Sequence, residues 1–285
     1  MDALQQLVSL GGVARSGELR CSPKELAALR STGGVRDLGS GWLAVDGAAP
    51  ALVAARRLNG TITCVSAADH YRLAVLNEPD EPHVALPRAR GVRPGRARVH
   101  RESRWTRVAG PLPVAPPAEA MARVLRCLPL QAAVVTVDSA LNKRLVTVEE
   151  VYPYLVGPGS ARAREALARC DSGSRSPIET LARLELEAAG LTVVSAPSIA
   201  GVGEVDLVVE DIVVIECDGF AYHSGRREYR EDRRRDRALV ALGYSVLRFT
   251  WEDIMSNPAI VVPAVLAALA ARVSQSGPGA GSVSH

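Results

Sequence analysis

Apolar and polar positions along the chain change rhythm twice. In the first fifty residues the apolar positions are sparse and helix-spaced: Leu4, Leu7 and Val8 predict a short amphipathic helix, and a second short helix is expected after Ser16. A third is signed at both ends in SPKELAALRSTGG. Ser22 is the N-cap, Pro23 begins the first turn, Glu25 stands three after the cap and Gly33-Gly34 is the stop. VRDLGSGWLAV then predicts two short strands around a Gly-Ser-Gly turn. Three short helices followed by a small hairpin is the element order of a winged helix-turn-helix, placed at residues 1–50.

From 55 to 170 the periods mix. ITCVSAADHYRLAVL predicts a strand end and a helix, HVALP and RVHRES strands, and PPAEAMARVLRCL, LQAAVVTVDSALNK and TVEEVYPYLV helices, together a mixed α/β connecting domain. From 174 to 273 the pattern sharpens. SPIETLARLELEAAG predicts a helix capped by Ser176 and stopped at Gly190, and LTVVSAP, EVDLVV and IVVIECD predict three strands. REYREDRRRDRALVALG predicts a helix, YSVLRFTWE a strand, and NPAIVVPAVLAALAARV a last helix capped by Asn257. That order predicts an α/β domain with a mixed central sheet flanked by helices. Gly, Ser, Pro and Ala from 274 to 285 predict a disordered tail.

Composition narrows the classes. The 285 residues are 47% apolar and 23% charged, which excludes wholesale disorder, and no repeat of solenoid period is present. The net charge of +3 permits a nucleic-acid partner without naming one. Only Lys24 and Lys143 are lysines, so nearly every positive charge is a guanidinium. Cysteines at 21, 64, 127, 170 and 217 are odd in number and never C-x-x-C, which predicts neither a disulfide framework nor a zinc knuckle and suits a reducing compartment. The start lacks a basic n-region, and the longest apolar run, 260–271, is broken by Pro263. A soluble, cytoplasmic, nucleoid-associated protein with no membrane partner is expected.

Three acids stand where burial is costly. Asp206 interrupts V-D-L-V-V, and Glu216 and Asp218 end V-V-I-E-C-D-G. Glu216 and Asp218, two apart, share a strand face. Asp206 joins that face only if it pairs with an even-numbered residue such as Glu216. A two-residue turn at Glu210-Asp211 would pair it with Ile215, so a three-residue loop or a bulge is expected. Clustered carboxylates need a cation, and oxygen donors favour Mg²⁺ or Mn²⁺. The alternative is that these acids merely end strands or pair with arginines.

GEVDLVVEDIVVIECDGFAYHSG, followed by YREDRRRDRALVALGYSVLRFTWEDI, resembles the nuclease-like domain of unknown function 559. That family is related to the very short patch repair endonucleases of the PD-(D/E)xK superfamily, and the resemblance spans roughly 174–270. It implies a restriction-endonuclease-like fold, with Asp206 as central metal ligand, Glu216 as second acid and Cys217 offering its backbone carbonyl. Asp218 stands where the superfamily has its lysine, and His223 matches the histidine of the repair enzymes. With no lysine in the domain, Asp218 is expected as metal ligand or base, and His223 as base or leaving-group acid. Glu179 reads both as half of a capping box and as the family's first-helix acid beside the metal. The repair enzymes' structural zinc site has no counterpart in this stretch, so mismatch specificity is not carried over. The arginine-rich helix 225–242 reads as a solvated, ion-paired face, with Asp232, Arg233 and Asp236 at the family's R-D-x-x-R-D positions; Arg233 and Arg248 are candidates for phosphate.

The first fifty residues are similar to the winged-helix domain of abortive-infection type IV antitoxins, on helix order and VRDLGSGWLAV. That places the helix 23–31 in a major groove with Lys24, Arg30 and Arg36 on bases or backbone; the alternative is a protein contact. Between Arg88 and Arg107 lie eight arginines and one glutamate, with His100 and Trp105 interspersed. They form either a solvated strand face or a phosphate-tracking surface carrying Arg93, Arg96, Arg98 and Arg101. The function expected is a Mg²⁺- or Mn²⁺-dependent DNA endonuclease of repair or defence. The alternatives are a non-catalytic DNA-binding regulator of the antitoxin class, or an antitoxin-like part that pairs with a separate toxin; a repair protein is a further expected partner.

Overall fold

The computed structural model describes residues 1–276 other than 32, 90, 92–94, 103–104, 107, 109 and 220–225, with backbone alone for 226–232 and 275–276. The chain forms two compact units. The first holds Met1–Leu128 and Val146–Arg164, and the second holds Pro129–Leu145 and the chain from Glu165 onward.

The first unit opens with α1 (Ala3–Ser9), whose Asp2 cap and Gln5 bond reciprocally. Strand β1 (Val13–Arg15) follows, and the helix expected after Ser16 is a single 3-10 turn, Ser16–Glu18. Helix α2 (Pro23–Ser31) starts as its sequence signs it: the Ser22 N–H donates to Glu25 Oε2 at 2.7 Å and the Glu25 N–H to Ser22 Oγ at 3.2 Å. Strands β2 (Val35–Gly39) and β3 (Trp42–Val45) flank a turn in which Gly39, Ser40 and Gly41 all take positive φ, a conformation two glycines make cheap. The sheet order is β1-β3-β2, all antiparallel, over a core that includes Leu7, Ala14, Leu19, Leu29 and Leu43. Strand β1 adds a third strand to the expected pair; three residues without alternation are too few to be read as a strand beforehand.

Helix α3 (Pro50–Leu58) leads to β4 (Thr61–Ile62), β5 (His83–Pro87), β6 (Arg98–Glu102) and α4 (Pro117–Cys127). Where a helix was expected after Ile62 there is a 3-10 turn, Cys64–Ala67. In the sheet β4-β5-β6 the central strand is wholly buried at Val84, Ala85 and Leu86; β4 is antiparallel to it and β6 parallel. Gly60 sits against β5, where a Cβ would come within 2.8 Å of the Ala85 carbonyl oxygen.

Helix α5 (Leu130–Asn142) belongs to the second unit, α6 (Val148–Val151) to the first, and α7 (Ser160–Ala168) runs across the division at Arg164. In the second unit follow α8 (Pro177–Ala188), β7 (Val193–Ser195), β8 (Ser198–Ile199), β9 (Gly203–Glu204), β10 (Leu207–Val209), β11 (Val213–Asp218), α9 (Arg226–Ala241), β12 (Ser245–Thr250), α10 (Trp251–Ser256) and α11 (Val261–Ser276). The main sheet has the order β12-β11-β10-β7. β11 and β12 are parallel, as a crossover through α9 requires, and the other pairs are antiparallel. This is the mixed sheet flanked by helices that the element order predicts. Two details differ. Asn257 caps no α-helix: it precedes a 3-10 turn, Pro258–Ile260, and its side chain makes no cap bond. α11 continues through Ser276, so residues 274–276 of the expected tail are helical and the rest lies outside the described residues. No helix among the described residues is long and apolar enough to cross a membrane.

Candidate active site

The β10–β11 turn sets the geometry of the site. Val209 pairs with Val213, leaving Glu210, Asp211 and Ile212 as a three-residue loop with Glu210 and Asp211 in the left-handed region. The pairing continues through Leu207 and Ile215, so Asp206, just before β10, lies opposite Glu216. Parity therefore puts Asp206, Glu216 and Asp218 on one face. The Cys217 N–H donates to Asp206 Oδ2 at 2.7 Å, which holds that carboxylate against β11.

Helix α8 brings the fourth acid. Glu179 is buried; the Ser176 hydroxyl donates to its Oε1 at 2.8 Å and the Arg175 N–H to its Oε2 at 2.8 Å. Only half of the expected capping box forms. The Glu179 N–H reaches Ser176 Oγ at 3.3 Å, while the carboxylate takes the Arg175 N–H in place of that of Ser176. Burial raises the pKa of Glu179, and the Asp206 charge raises it further, so the helix acid stands beside the strand acids.

Glu216 is the most perturbed of the group. Burial and the neighbouring Asp206 charge push it up to about 7, against the pull of Arg235 and Arg248. Burial also drives the Cys217 thiol upward, leaving it protonated.

Three arginines thread this cluster, and two of them give no signal in the sequence. Arg175 Nη2 lies 2.5 Å from Asp206 Oδ1, and its Nη1 binds Glu204. Arg235 Nη2 lies 3.2 Å from Glu216 Oε1 and donates to the Glu204 carbonyl at 2.6 Å. Arg248, opposite Glu216 in the β11–β12 register, bridges Asp218 at 3.3 Å and Asp236 at 2.8 Å. Arg248 thus sits inside the acidic cluster, where a carboxylate partner competes with the phosphate contact expected of it. Arg175 precedes its helix cap and Arg235 is one of many arginines on α9, so neither could be singled out before folding. Six carboxylates share three guanidiniums here. The donors fit a hard divalent cation in chemistry, being oxygen, crowded and partly desolvated. Among the described residues, however, no three of these acids bring their oxygens within 4.8 Å of one another. Asp206 and Glu216, with the Cys217 carbonyl, remain the ligands that the resemblance implies.

The remaining candidates lie elsewhere. His223 and Arg93 are outside the described residues, as is the side chain of Asp232. Arg233 is exposed on α9. Lys24 and Arg30 are exposed on α2, Arg30 paired with Asp37 at 3.0 Å, and Arg36 is exposed on β2 at 3.7 Å from Asp46. Arg96, Arg98 and Arg101 are exposed on or beside β6, with Arg98 on Glu81 at 2.9 Å. A groove of about 580 Å³ in the first unit has Arg36, Arg57 and Arg96 among its lining residues, so strand β2 and the basic segment both border it.

Residues 179–269 match the restriction-endonuclease-like family model REase_MTES_1575. The second unit therefore carries a restriction-endonuclease-like domain, and the match takes in Glu179, Asp206, Glu216, Cys217, Asp218 and Arg248. No curated protein matches the chain.

Proposed function

We propose that the protein is a metal-dependent DNA endonuclease, with the second unit hydrolysing a phosphodiester and the first binding DNA. The observation that carries this reading is the placement of Asp206 opposite Glu216, with Glu216 pushed up to about 7, inside a domain that matches a nuclease family. Asp206, Glu216 and the Cys217 carbonyl would hold Mg²⁺ or Mn²⁺. Such an ion polarises a phosphate and lowers the pKa of a bound water. The chain's own residues do the rest. Glu179 holds the Arg175 backbone beside Asp206, and Arg248 supplies, next to Glu216 and Asp218, the fixed positive charge that the superfamily draws from lysine. Asp218, which Arg248 pairs at 3.3 Å, and His223 are the candidates for proton transfer. Lys24, Arg30, Arg36, Arg96, Arg98, Arg101 and Arg233 are assigned to DNA.

One observation favours a second reading, a non-catalytic DNA-binding regulator: arginines engage Asp206, Glu216 and Asp218 in the way a cation would. The two readings separate in one experiment. Purified protein is incubated with plasmid and mismatched, nicked, abasic and single-stranded substrates in Mg²⁺, in Mn²⁺ and in EDTA. The nuclease cuts only with metal and loses at least about 100-fold in rate in Asp206→Ala, as removal of a ligand to the reacting centre demands. Cleavage that survives Asp206→Ala sinks the assignment. Thermal stability unchanged by Mg²⁺ or Mn²⁺, together with intact DNA binding, establishes the regulator.

A further inference from the structure

The first unit contains a second constellation, unrelated to the carboxylates. Among the described residues, the one group of three or more His, Cys, Asp and Glu side chains whose ligand atoms all lie within 4.8 Å is Cys64, His83, His100 and Cys127. His100 Nε2 is 3.1 Å from His83 Nδ1, and Cys127 Sγ is 3.8 Å from the same Nδ1.

Four separate elements deliver these donors. His83 opens β5, and His100 lies on β6 opposite Ala85. Residues 83 and 85 share a sheet face, so the parallel register sets the two imidazoles diagonally on that face. Cys127 is the last residue of α4, and Cys64 opens the 3-10 turn after β4. The backbone pins that turn to His83 from both sides: the Thr63 N–H donates to the His83 carbonyl at 3.1 Å, and the His83 N–H to Ser66 Oγ at 2.9 Å. Cys64 itself is held at φ 54, a conformation costly for a residue with a Cβ and kept only where surroundings impose it. Cys64 and His83 are buried, His100 and Cys127 half-buried.

We propose that Cys64, His83, His100 and Cys127 form a structural Zn²⁺ site that ties the β4-β5-β6 sheet to α4. Two thiolates and two imidazoles are the donor set of a tetrahedral zinc centre. Bonds of about 2.05 Å to nitrogen and about 2.3 Å to sulfur place its vertices roughly 3.3 to 3.8 Å apart, the scale of the two distances above. The charges close as well. Zn²⁺, two thiolates and two neutral imidazoles sum to zero, and Arg123, close to both thiols, is already paired with Glu102. Binding releases the two thiol protons to solvent, and nothing is oxidised or reduced. Four protein ligands leave no open position, so the role is structural rather than catalytic. The soft donors select zinc here, while the oxygen donors of the second unit suit Mg²⁺ or Mn²⁺, so the two sites do not compete.

The test uses the full chain, purified with a reductant and without chelator. Elemental analysis should find one zinc per chain, retained in Asp206→Ala and lost in the Cys64→Ser, Cys127→Ser double variant. Replacing the metal with Co²⁺ should give a tetrahedral visible spectrum with thiolate-to-cobalt charge transfer, a signature carboxylates cannot produce. If the double variant fails to fold, thiol titration of the wild type decides: two thiols should be protected until a strong chelator is added. Substoichiometric zinc, a cobalt spectrum without thiolate bands, or a Cys64–Cys127 disulfide found by mass spectrometry would each overturn the proposal.

Discussion

Glu216 shows what one residue's surroundings do to its chemistry. Its carboxyl sits at the end of a buried strand, facing Asp206, and titrates at about 7 instead of 4.5. The folded protein therefore holds this proton at pH values where the unfolded chain has released it. Stability contributed here is unaffected below about pH 4.5, falls as pH rises from 4.5 to 7, and is flat above. Glu216→Gln mimics the protonated form. In EDTA it should stabilise the protein by of order 1 to 3 kcal/mol at pH 8 and by nothing at pH 4. Urea unfolding at the two pH values checks this, and an equal effect at both would contradict the assigned cause. The residue-scale features missed beforehand are cations: Arg175 and Arg235 reach the acids only because the segment leading into α8 and helix α9 bring them to the same sheet end.

Among the elements, α8 does most to position the site, and its hold on the second unit is a buried ion pair with α5. Arg183 Nη2 lies 2.8 Å from Asp138 Oδ2; the Thr180 hydroxyl and the Asp171 N–H also donate to that carboxylate, each at 2.8 Å. Both side chains are almost wholly buried, so removing one strands the other. Asp138→Ala should cost about 3 to 5 kcal/mol, and the Asp138→Leu, Arg183→Met pair should recover most of that loss, since an apolar pair bears no desolvation cost. The denaturant midpoints of the three proteins measure it. Helix α8 itself was legible, with Ser176, Pro177 and Gly190 signing both ends. Strand β1, helix α7 and helix α10 were not: β1 is three residues long, and α10 starts from a Thr250–Asp253 cap at the end of what reads as a continuing strand.

At the scale of the molecule, the charge reads as two concentrations of arginine with different employment. In the second unit guanidiniums gather on one carboxylate cluster; in the first, Arg96, Arg98 and Arg101 are exposed on or beside β6, with Arg98 also on Glu81. If each of the three contacts a phosphate, their replacement by alanine should reduce the slope of log K against log salt for duplex DNA by about 2.7. Filter binding or anisotropy in the Asp206→Ala background, over a range of salt, measures the slope. An unchanged slope would assign these residues to a solvated strand face. The division into units also departs from the expected connecting domain: α5 joins the second unit, because its buried Asp138 is satisfied by groups that lie after residue 170.

Local pattern alone determined the strong helices, the mixed sheet and the parity of Asp206 with Glu216, because capping, strand alternation and turn length are set by neighbours in the chain. The positions of two acids called for a three-residue loop or a bulge between β10 and β11, and the loop is what forms. Tertiary structure decided which cations meet those acids, and it decided the Cys64, His83, His100 and Cys127 cluster. Widely spaced cysteines look like isolated thiols in a sequence. They become a ligand set only when a parallel strand register and the end of a helix bring together residues that no short-range spacing rule connects.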